Sequence, residues 1–294
     1  MSKIGALGPS GTFSEFALQT LLSHTDYEYS HSVLFNSIAC VFESLTIGKA
    51  DKIVVPIENT INGKVESTLD ELLRLNVYHI EFEFIVPISH CLLGKSLTVM
   101  DSVSYILSHY QPLGQCQNYL LKQFPEATHI VTESSAFAAE FLSSGQRDKF
   151  VTLPYGCSSD NTVVIGSQSL ASLYNLSVLD ADINDVSNNF TRFLVIGNQL
   201  TELTGNDKTS LVFTTPNHSG ALYEILGIFA DADINLLSIA SRPSKKKLGE
   251  YLFYVDVSGH RDEDQLKTVL LAVEQKASFY KFLGSFSLAG APLC

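Results

Sequence analysis

The chain has 294 residues, 45% of them hydrophobic and 17% charged, with 19 Lys and Arg against 31 Asp and Glu for a net charge of −12. This composition excludes a disordered, collagen-like or disulfide-scaffold protein, and the length predicts one large domain or two smaller ones, each able to bury a core. The acidic balance excludes nucleic acid as a partner, because such binders need a basic footprint, and it requires any anionic ligand to be held by a few specific groups.

No apolar run approaches the ~18 residues of a membrane span, so no membrane association is expected. The opening MSKIGALGPSGTFSEF lacks the apolar stretch of a secretory leader, and five scattered cysteines (Cys40, Cys91, Cys116, Cys157, Cys294) without a C-x-x-C pair read as reduced thiols. Both features predict a cytoplasmic protein without a zinc site. The one basic run, Lys245-Lys246-Lys247, reads as a solvated turn.

In chain order, residues 4–7 are predicted as a strand, 15–23 as a helix, 52–55 as a strand, 66–75 as a helix and 84–86 as a strand. Such alternation argues for α/β units around a largely parallel sheet. The polar stretch 197–208, with two glycines, breaks the pattern and predicts a first domain over 1–198, a linker over 199–208 and a second domain over 209–294. Beyond it, 210–215 reads as a strand, and Leu222, Ile225, Leu226 and Phe229 fall on one face of a helix opening near Ser219. Strands over 234–239 and 250–257, joined through the lysine turn, a helix over 265–274 and a strand over 281–288 complete a β-α-β-β-α-β, ferredoxin-like order.

Three motifs carry candidate chemistry. Gly8-Pro9-Ser10-Gly11-Thr12-Phe13-Ser14-Glu15 follows the first strand, and Thr12 with Glu15 forms a T-x-x-E capping box. Glycines before a helix amino terminus let an anion reach backbone N–H groups, although the stretch also reads as a plain strand-helix turn. It fits neither G-x-G-x-x-G nor a P-loop. In Val54-Val55-Pro56-Ile57-Glu58-Asn59-Thr60-Ile61-Asn62-Gly63, Glu58 and Asn59 are expected just past a strand's carboxyl end, where open α/β sheets place ligands. A carboxylate beside a carboxamide suits hydroxyl binding, or simply organises the loop. In Ser187-Asn188-Asn189-Phe190-Thr191-Arg192-Phe193, one of five arginines stands between two phenylalanines and beside a threonine hydroxyl. That is a carboxylate clamp or a salt-bridged structural arginine.

His90, Cys91, Ser108, His109, Gln115 and Cys116 are polar groups near apolar runs. No G-x-S-x-G or H-E-x-x-H accompanies them, so a hydrolase triad is not indicated, and each histidine reads as a core or loop residue.

Together these motifs resemble those of monofunctional prephenate dehydratases that carry a carboxyl-terminal regulatory ACT domain. The matching residues are Gly8 to Ser14, Pro56 to Gly63, His90-Cys91-Leu92, Ser108 to Cys116, Ser134-Ser135-Ala136 and Asn189 to Phe193. In the tail, Gly220-Ala221-Leu222, Ser241-Arg242-Pro243, Gly249-Glu250-Tyr251-Leu252-Phe253 and Leu283-Gly284-Ser285-Phe286 follow in family order. The resemblance implies an α/β fold with two subdomains around a cleft, similar to the type 2 periplasmic-binding fold, followed by a ferredoxin-like ACT domain. It implies conversion of prephenate to phenylpyruvate with loss of CO2 and water, in L-phenylalanine biosynthesis, without metal or organic cofactor.

The resemblance also implies site roles. Arg192 would bind a substrate carboxylate, and Thr191 would hydrogen-bond or protonate the departing hydroxyl. Glu58, desolvated and with a raised pKa, is the alternative proton source. Gly11, Thr12, Asn59, Ser108, Gln115, Ser134, Asn189 and Phe193 would line the substrate site, with the Gly8–Ser14 turn offering backbone N–H groups. The ACT domain implies inhibition by L-phenylalanine through Gly220, Ala221, Leu222, Ser241, Arg242 and Pro243, and a homo-oligomer, dimer or tetramer. The chain departs from the pattern at Ala240, where a glutamate is usual, and at Ser219, where a proline is, which points to weakened inhibition. Thr162-Val163-Val164-Ile165-Gly166 stands where the family is alanine-rich and is expected to repack a helix. An arogenate dehydratase, whose substrate carries an amino group in place of the keto group, stays open. So does a non-catalytic amino-acid sensor, against which the retained Glu58, Thr191 and Arg192 argue.

Overall fold

A computed structural model describes residues 2–24, 29–145, 153–245 and 249–293. The first lobe contains β1 (Ser2–Leu7), α1 (Phe13–His24), β2 (Tyr29–Phe35), α2 (Ile38–Thr46), β3 (Lys52–Asn59), β4 (Gly63–Lys64), α3 (Glu66–Leu72) and β5 (His79–Pro87). The second lobe contains β6 (Cys91–Gly94), β7 (Tyr105–Ser108), α4 (Tyr110–Gln115), α5 (Gln117–Gln123), β8 (Thr128–Val131), α6 (Ser135–Ser144), β9 (Thr162–Gly166), α7 (Gln168–Tyr174) and β10 (Ser177–Asp180). The chain then returns to the first lobe as β11 (Phe190–Gly197).

The first sheet has the order β2-β1-β3-β11-β5 and the second β10-β6-β9-β7-β8. The expected largely parallel sheet is corrected to two mixed ones. In the first, β1 runs parallel to β2 and β3, but the returning β11 inserts antiparallel between β3 and β5. In the second, β7 runs parallel to β8 and β9, while β6 pairs antiparallel with β9 and β10. Residues 162–166, expected in a helix, form the central strand β9, and all five are buried. Four β-branched residues in succession suit a strand covered on both faces.

The tail forms β12 (Asp207–Thr214), α8 (Ala221–Asp231), β13 (Leu236–Pro243), β14 (Tyr251–Ser258), α9 (Asp264–Lys276) and β15 (Phe279–Ser287). Its antiparallel sheet has the order β13-β14-β12-β15, the ferredoxin-like arrangement. Strand β12 starts inside the expected linker, with Asp207 and Lys208 already buried. All eight β12 residues are buried, so both faces of this sheet are covered. One face packs on α8 and α9, where Leu211 and Phe213 meet Ile225 and Phe229 of α8 and Leu266 and Val269 of α9. The other shares one apolar cluster with the first lobe, where Val212, Tyr254, Leu283 and Phe286 join Leu69, Leu72, Ile80 and Leu194. The tail is docked through a common core rather than merely tethered.

Gly284 makes that docking possible. A Cβ on it would fall on the carbonyl oxygen of Ile80 in β5, which is backbone and cannot swing aside, and its φ of 155° is one that side chains rarely adopt. Gly284→Ala is expected to cost about 1–3 kcal/mol by overpacking, read as a lower Tm; an unchanged Tm would remove Gly284 from the interface.

Candidate active site

A cavity of about 510 Å3 lies between the two lobes, within the size range of small-molecule sites. Six helices begin at its wall, α1, α2 and α3 from the first lobe and α4, α6 and α7 from the second. Their amino ends bring first-turn N–H groups and positive dipole ends to one space, with one N–H each already capped by Thr12, Ser37 and Ser134 in α1, α2 and α6. Among the described lining residues there is no lysine or arginine. An anion entering here therefore meets helix ends, hydroxyls, carboxamides and two imidazoles, with the Glu133 carboxylate on the same wall.

Strand geometry divides both central motifs. Strand β3 runs to Asn59, so Glu58 and Asn59 lie within it and not beyond its end. In the β3/β11 ladder Thr191 stands opposite Asn59 and Arg192 opposite Glu58. Successive side chains of a strand point to opposite faces. Asn59 and Thr191 border the cavity, whereas Arg192 borders the contact with the tail domain.

There the Arg192 guanidinium reaches Glu58 at 2.9 Å, Glu83 at 2.8 Å and Asp256 at 3.4 Å. Lys208 joins Glu83 at 2.5 Å, and Lys64 reaches Glu58 at 3.0 Å and the Ser238 hydroxyl at 2.9 Å. The expectation that Arg192 binds a substrate carboxylate is thus corrected: its charge is spent on three carboxylates of its own chain, away from the cavity. The expectation of a protonated Glu58 is corrected with it. Burial pushes its pKa up, but hydrogen bonds and charges from Arg192 and Lys64 outweigh burial and hold the carboxyl below its ordinary range. It has no proton to give at neutral pH.

Asp256 is held low in the same way, with burial opposed and outweighed by the charges of Lys208 and Arg192. A carboxylate with a depressed folded pKa stabilises above its unfolded pKa of about 4 and loses that contribution as pH falls through the folded value. Tm is therefore expected to hold from neutrality to about pH 5 and to fall steeply below about pH 4. A Tm that stays level to about pH 3 would contradict this role for the cluster.

On the cavity side, Asn59 Oδ1 accepts the backbone N–H of Ile61 and of Asn62, both at 3.0 Å. Its Nδ2 shares two hydrogens among three acceptors, Asn189 Oδ1 at 2.8 Å, the Phe190 carbonyl at 3.0 Å and Thr191 Oγ1 at 3.0 Å. Asn189 Nδ2 donates in turn to Gln115 Oε1 at 2.9 Å, and His90 Nε2 lies 2.7 Å from the same oxygen. With its oxygen engaged by Asn59, the Thr191 hydroxyl keeps its hydrogen for a ligand.

Of the residues expected to line the site, Gly11, Thr12, Asn59, Gln115, Ser134, Thr191 and Phe193 border the cavity. Asn189 and Ser108 do not, and their expected positions are corrected. Asn189 is buried behind Asn59 and Gln115, and Ser108 is buried with its hydroxyl on the Ile165 carbonyl at 2.7 Å and 2.9 Å from Ser135 Oγ. Within the Gly8–Ser14 turn the N–H groups of Gly8 and Gly11 are taken, which narrows what it offers an anion to the first turn of α1. Gly8 N donates to the Phe35 carbonyl at 2.8 Å, and Gly11 N to the Glu15 carboxylate at 2.6 Å. Gly11 has a φ of 84° and a Cβ there would fall on Leu170 of the second lobe, so it marks where the lobes touch. His90 and His109, expected in the core or in loops, also border the cavity, as do Glu133, Ser135 and Ser167. The sequence signal for His90 is its place directly before β6. Burial pushes the thiols of Cys91 and Cys116 up, that of Cys116 to about 12, so neither is a nucleophile near neutrality.

In the tail, Arg242 pairs with Glu66 at 2.5 Å and Asp70 at 3.1 Å, both on α3, which corrects its expected place in an effector site. Ser241 is exposed on β13, in one cross-strand row with Phe253 and Phe213. Pro243 ends that strand, Gly220 caps α8 with a φ of 84°, Ala221 is buried and Leu222 packs in the helical core. Ala240 borders the space between the domains together with Lys64 and Arg192. Lys245 pairs with Asp70 at 2.6 Å, and Lys246, Lys247 and Cys294 lie outside the described residues. No described helix is long and apolar enough to cross a membrane.

The prephenate dehydratase family model matches residues 4–201, and the ACT domain model matches residues 209–275. A bifunctional chorismate mutase/prephenate dehydratase of Aquifex aeolicus is 36% identical over 287 residues, covering 98% of this chain and 74% of the relative. A prephenate dehydratase of Methanocaldococcus jannaschii is 36% identical over 282 residues, covering 95% of each chain. Among solved structures, prephenate dehydratase from Arthrobacter aurescens in complex with L-Phe superposes with a TM-score of 0.84 at 29% identity, covering 100% of this chain and 93% of that one.

Proposed function

The chain belongs to the prephenate dehydratase family, and from that premise we propose that the cavity between the lobes binds prephenate and that Thr191 donates to its ring hydroxyl as that group leaves. The activity is the decarboxylative dehydration of prephenate. The ring carboxylate departs as CO2, its bonding electrons enter the ring, the C–O bond to the hydroxyl breaks and the ring becomes aromatic. Prephenate carries two carboxylates and phenylpyruvate one, so the balance consumes one proton, which turns the departing hydroxide into water.

Little covalent chemistry falls to the protein. It must hold a dianion, place the hydroxyl against a donor and keep bulk water out. The carboxylates find their counterpart in the helix amino ends, foremost those of α1 and α6, where Thr12, Ser134 and Ser135 stand. The observation that carries the reading is the Asn59–Thr191 hydrogen bond, which leaves the Thr191 proton to the cavity. Glu58 and Arg192 act behind the strand pair, holding β3 and β11 in place.

The regulatory reading rests on the ACT match and on the L-Phe bound to the Arthrobacter relative. L-phenylalanine is the proposed effector, with Gly220, Ala221, Leu222, Ser241 and Pro243 as its candidate contacts. Arg192 follows Thr191 on β11 and touches Asp256 of the tail, which gives the tail a short route to the hydroxyl. A homo-oligomer, dimer or tetramer, is proposed from the edge strand β13, which exposes Leu237 and Ile239. The proposed division is a catalytic unit over 1–198, a joint over 199–208 that runs into β12, and a regulatory unit over 209–294 in a cytoplasmic enzyme.

The test follows phenylpyruvate formed from prephenate by the purified chain, with arogenate in parallel and L-Phe titrated. Turnover of prephenate suppressed by L-Phe is the expected result. Faster turnover of arogenate would reassign the substrate, and indifference to L-Phe would leave the tail a role in assembly. A folded chain that binds L-Phe yet turns over neither substrate would be a sensor.

A further inference from the structure

We propose that His90 is a positioning residue of this reaction: with its proton on Nε2, it clamps the Gln115 carboxamide so that the amide hydrogens of Gln115, and not its oxygen, face the substrate. The inference rests on the polarity of one hydrogen-bonded relay. The backbone N–H groups of Ile61 and Asn62 can only donate, so Asn59 Oδ1 must be the acceptor and Asn59 Nδ2 the donor. Asn189 Oδ1 then accepts, which leaves Asn189 Nδ2 to donate to Gln115 Oε1. An oxygen fixed as acceptor requires the atom facing it, His90 Nε2 at 2.7 Å, to carry the proton.

Gln115 Oε1 thus takes two donors, one for each lone pair, and Gln115 has only its Nε2 hydrogens left for the cavity that it borders. The His90 ring is held to this task. It is 2% exposed and packs edge-on against Phe13 at 5.4 Å, its backbone N–H donates to Asn184 Oδ1 at 2.7 Å and its carbonyl accepts from Ile183 N at 3.0 Å. Nδ1 is buried and meets no hydrogen-bond partner among the described residues, so a second proton there would be unpaired. Burial pushes the ring's pKa down, in the same sense. The relay presents two donors to one ligand, the Thr191 hydroxyl at one end and the Gln115 amide at the other. Both polarities are set by the same two backbone amides.

The kinetic part rests on the cavity being the prephenate site, whereas the tautomer does not. In the full chain labelled with 15N-histidine, His90, assigned by its loss in His90→Gln, is expected to show a protonated Nε2 and an unprotonated Nδ1 near neutral pH. A proton on Nδ1, or an imidazolium, would overturn the clamp even if prephenate is turned over normally. His90→Gln keeps an amide donor near the Nε2 position and should keep kcat within about tenfold, whereas His90→Leu, which has none, should lose about 10²-fold, as for loss of a preorganised donor. Equal kcat values in the two folded variants would also overturn it. A wild-type chain inactive on prephenate would remove the reading of the cavity instead, and the tautomer would still decide the clamp.

Discussion

Thr191→Ala is expected to lower kcat for prephenate by about 10²–10⁴-fold, the usual contribution of a positioned proton donor, with a much smaller change in KM. The reason is geometric. Asn59 donates to the Thr191 oxygen at 3.0 Å, so the hydroxyl hydrogen is the group presented to the cavity. Alanine removes that hydrogen and little else. The ladders from β11 to β3 and β5 are made by backbone groups, and Asn59 keeps Asn189 and the Phe190 carbonyl as acceptors. Ground-state binding through the helix ends is untouched. Thr191→Ser keeps the donor and should keep most of the rate. Initial rates over a range of prephenate concentrations decide the matter, and a wild-type kcat in Thr191→Ala would remove this hydroxyl from the mechanism.

Arg192→Met is expected to act on stability, by about 3–5 kcal/mol, the cost of leaving buried charge uncompensated. The guanidinium bridges Glu58, Glu83 and Asp256, of which Glu83 is 2% and Asp256 15% exposed in the side chain. Lys208 and Lys64 stay behind to offset part of the loss. Because the Glu83 and Asp256 pairs are largely covered, the effect should change little with added salt. Chemical denaturation followed by tail and lobe probes would measure it. A variant of unchanged stability with a strongly raised KM would instead return the guanidinium to the substrate site.

The contrast between these neighbouring residues shows what the sequence could and could not carry. Element order was legible wherever periodicity was strong. Leu222, Ile225, Leu226 and Phe229 mark α8, and the tail's β-α-β-β-α-β order follows from such patterns. The second lobe was harder to read because its short strands have no alternation. All four residues of β6 and all five of β9 are buried, and a short apolar run of that kind is ambiguous between strand and helix. Motif chemistry misled for a related reason. Glu58-Asn59 and Thr191-Arg192 are adjacent in sequence, which suggests one site, but in a strand adjacency places side chains on opposite faces. The strand β3 ends at Asn59 rather than before Glu58, and that difference separates the cavity from the domain contact. The partners of Arg192 left no local trace, since Glu83 and Asp256 lie far away along the chain and meet it only through β5 and β14. The net charge of −12 says only that an anion must be held by a few specific groups; the cavity lining holds no lysine or arginine among the described residues, and composition does not say which groups take their place.

The most direct test of the central claim is a crystal structure of Thr191→Ala with prephenate bound. Prephenate should lie in the cavity between the lobes, its ring hydroxyl beside position 191, its carboxylates at the amino ends of α1 and α6, and the Gln115 amide nitrogen turned toward it. Electron density for prephenate against Arg192, on the far side of β3 and β11, would contradict this account of the site.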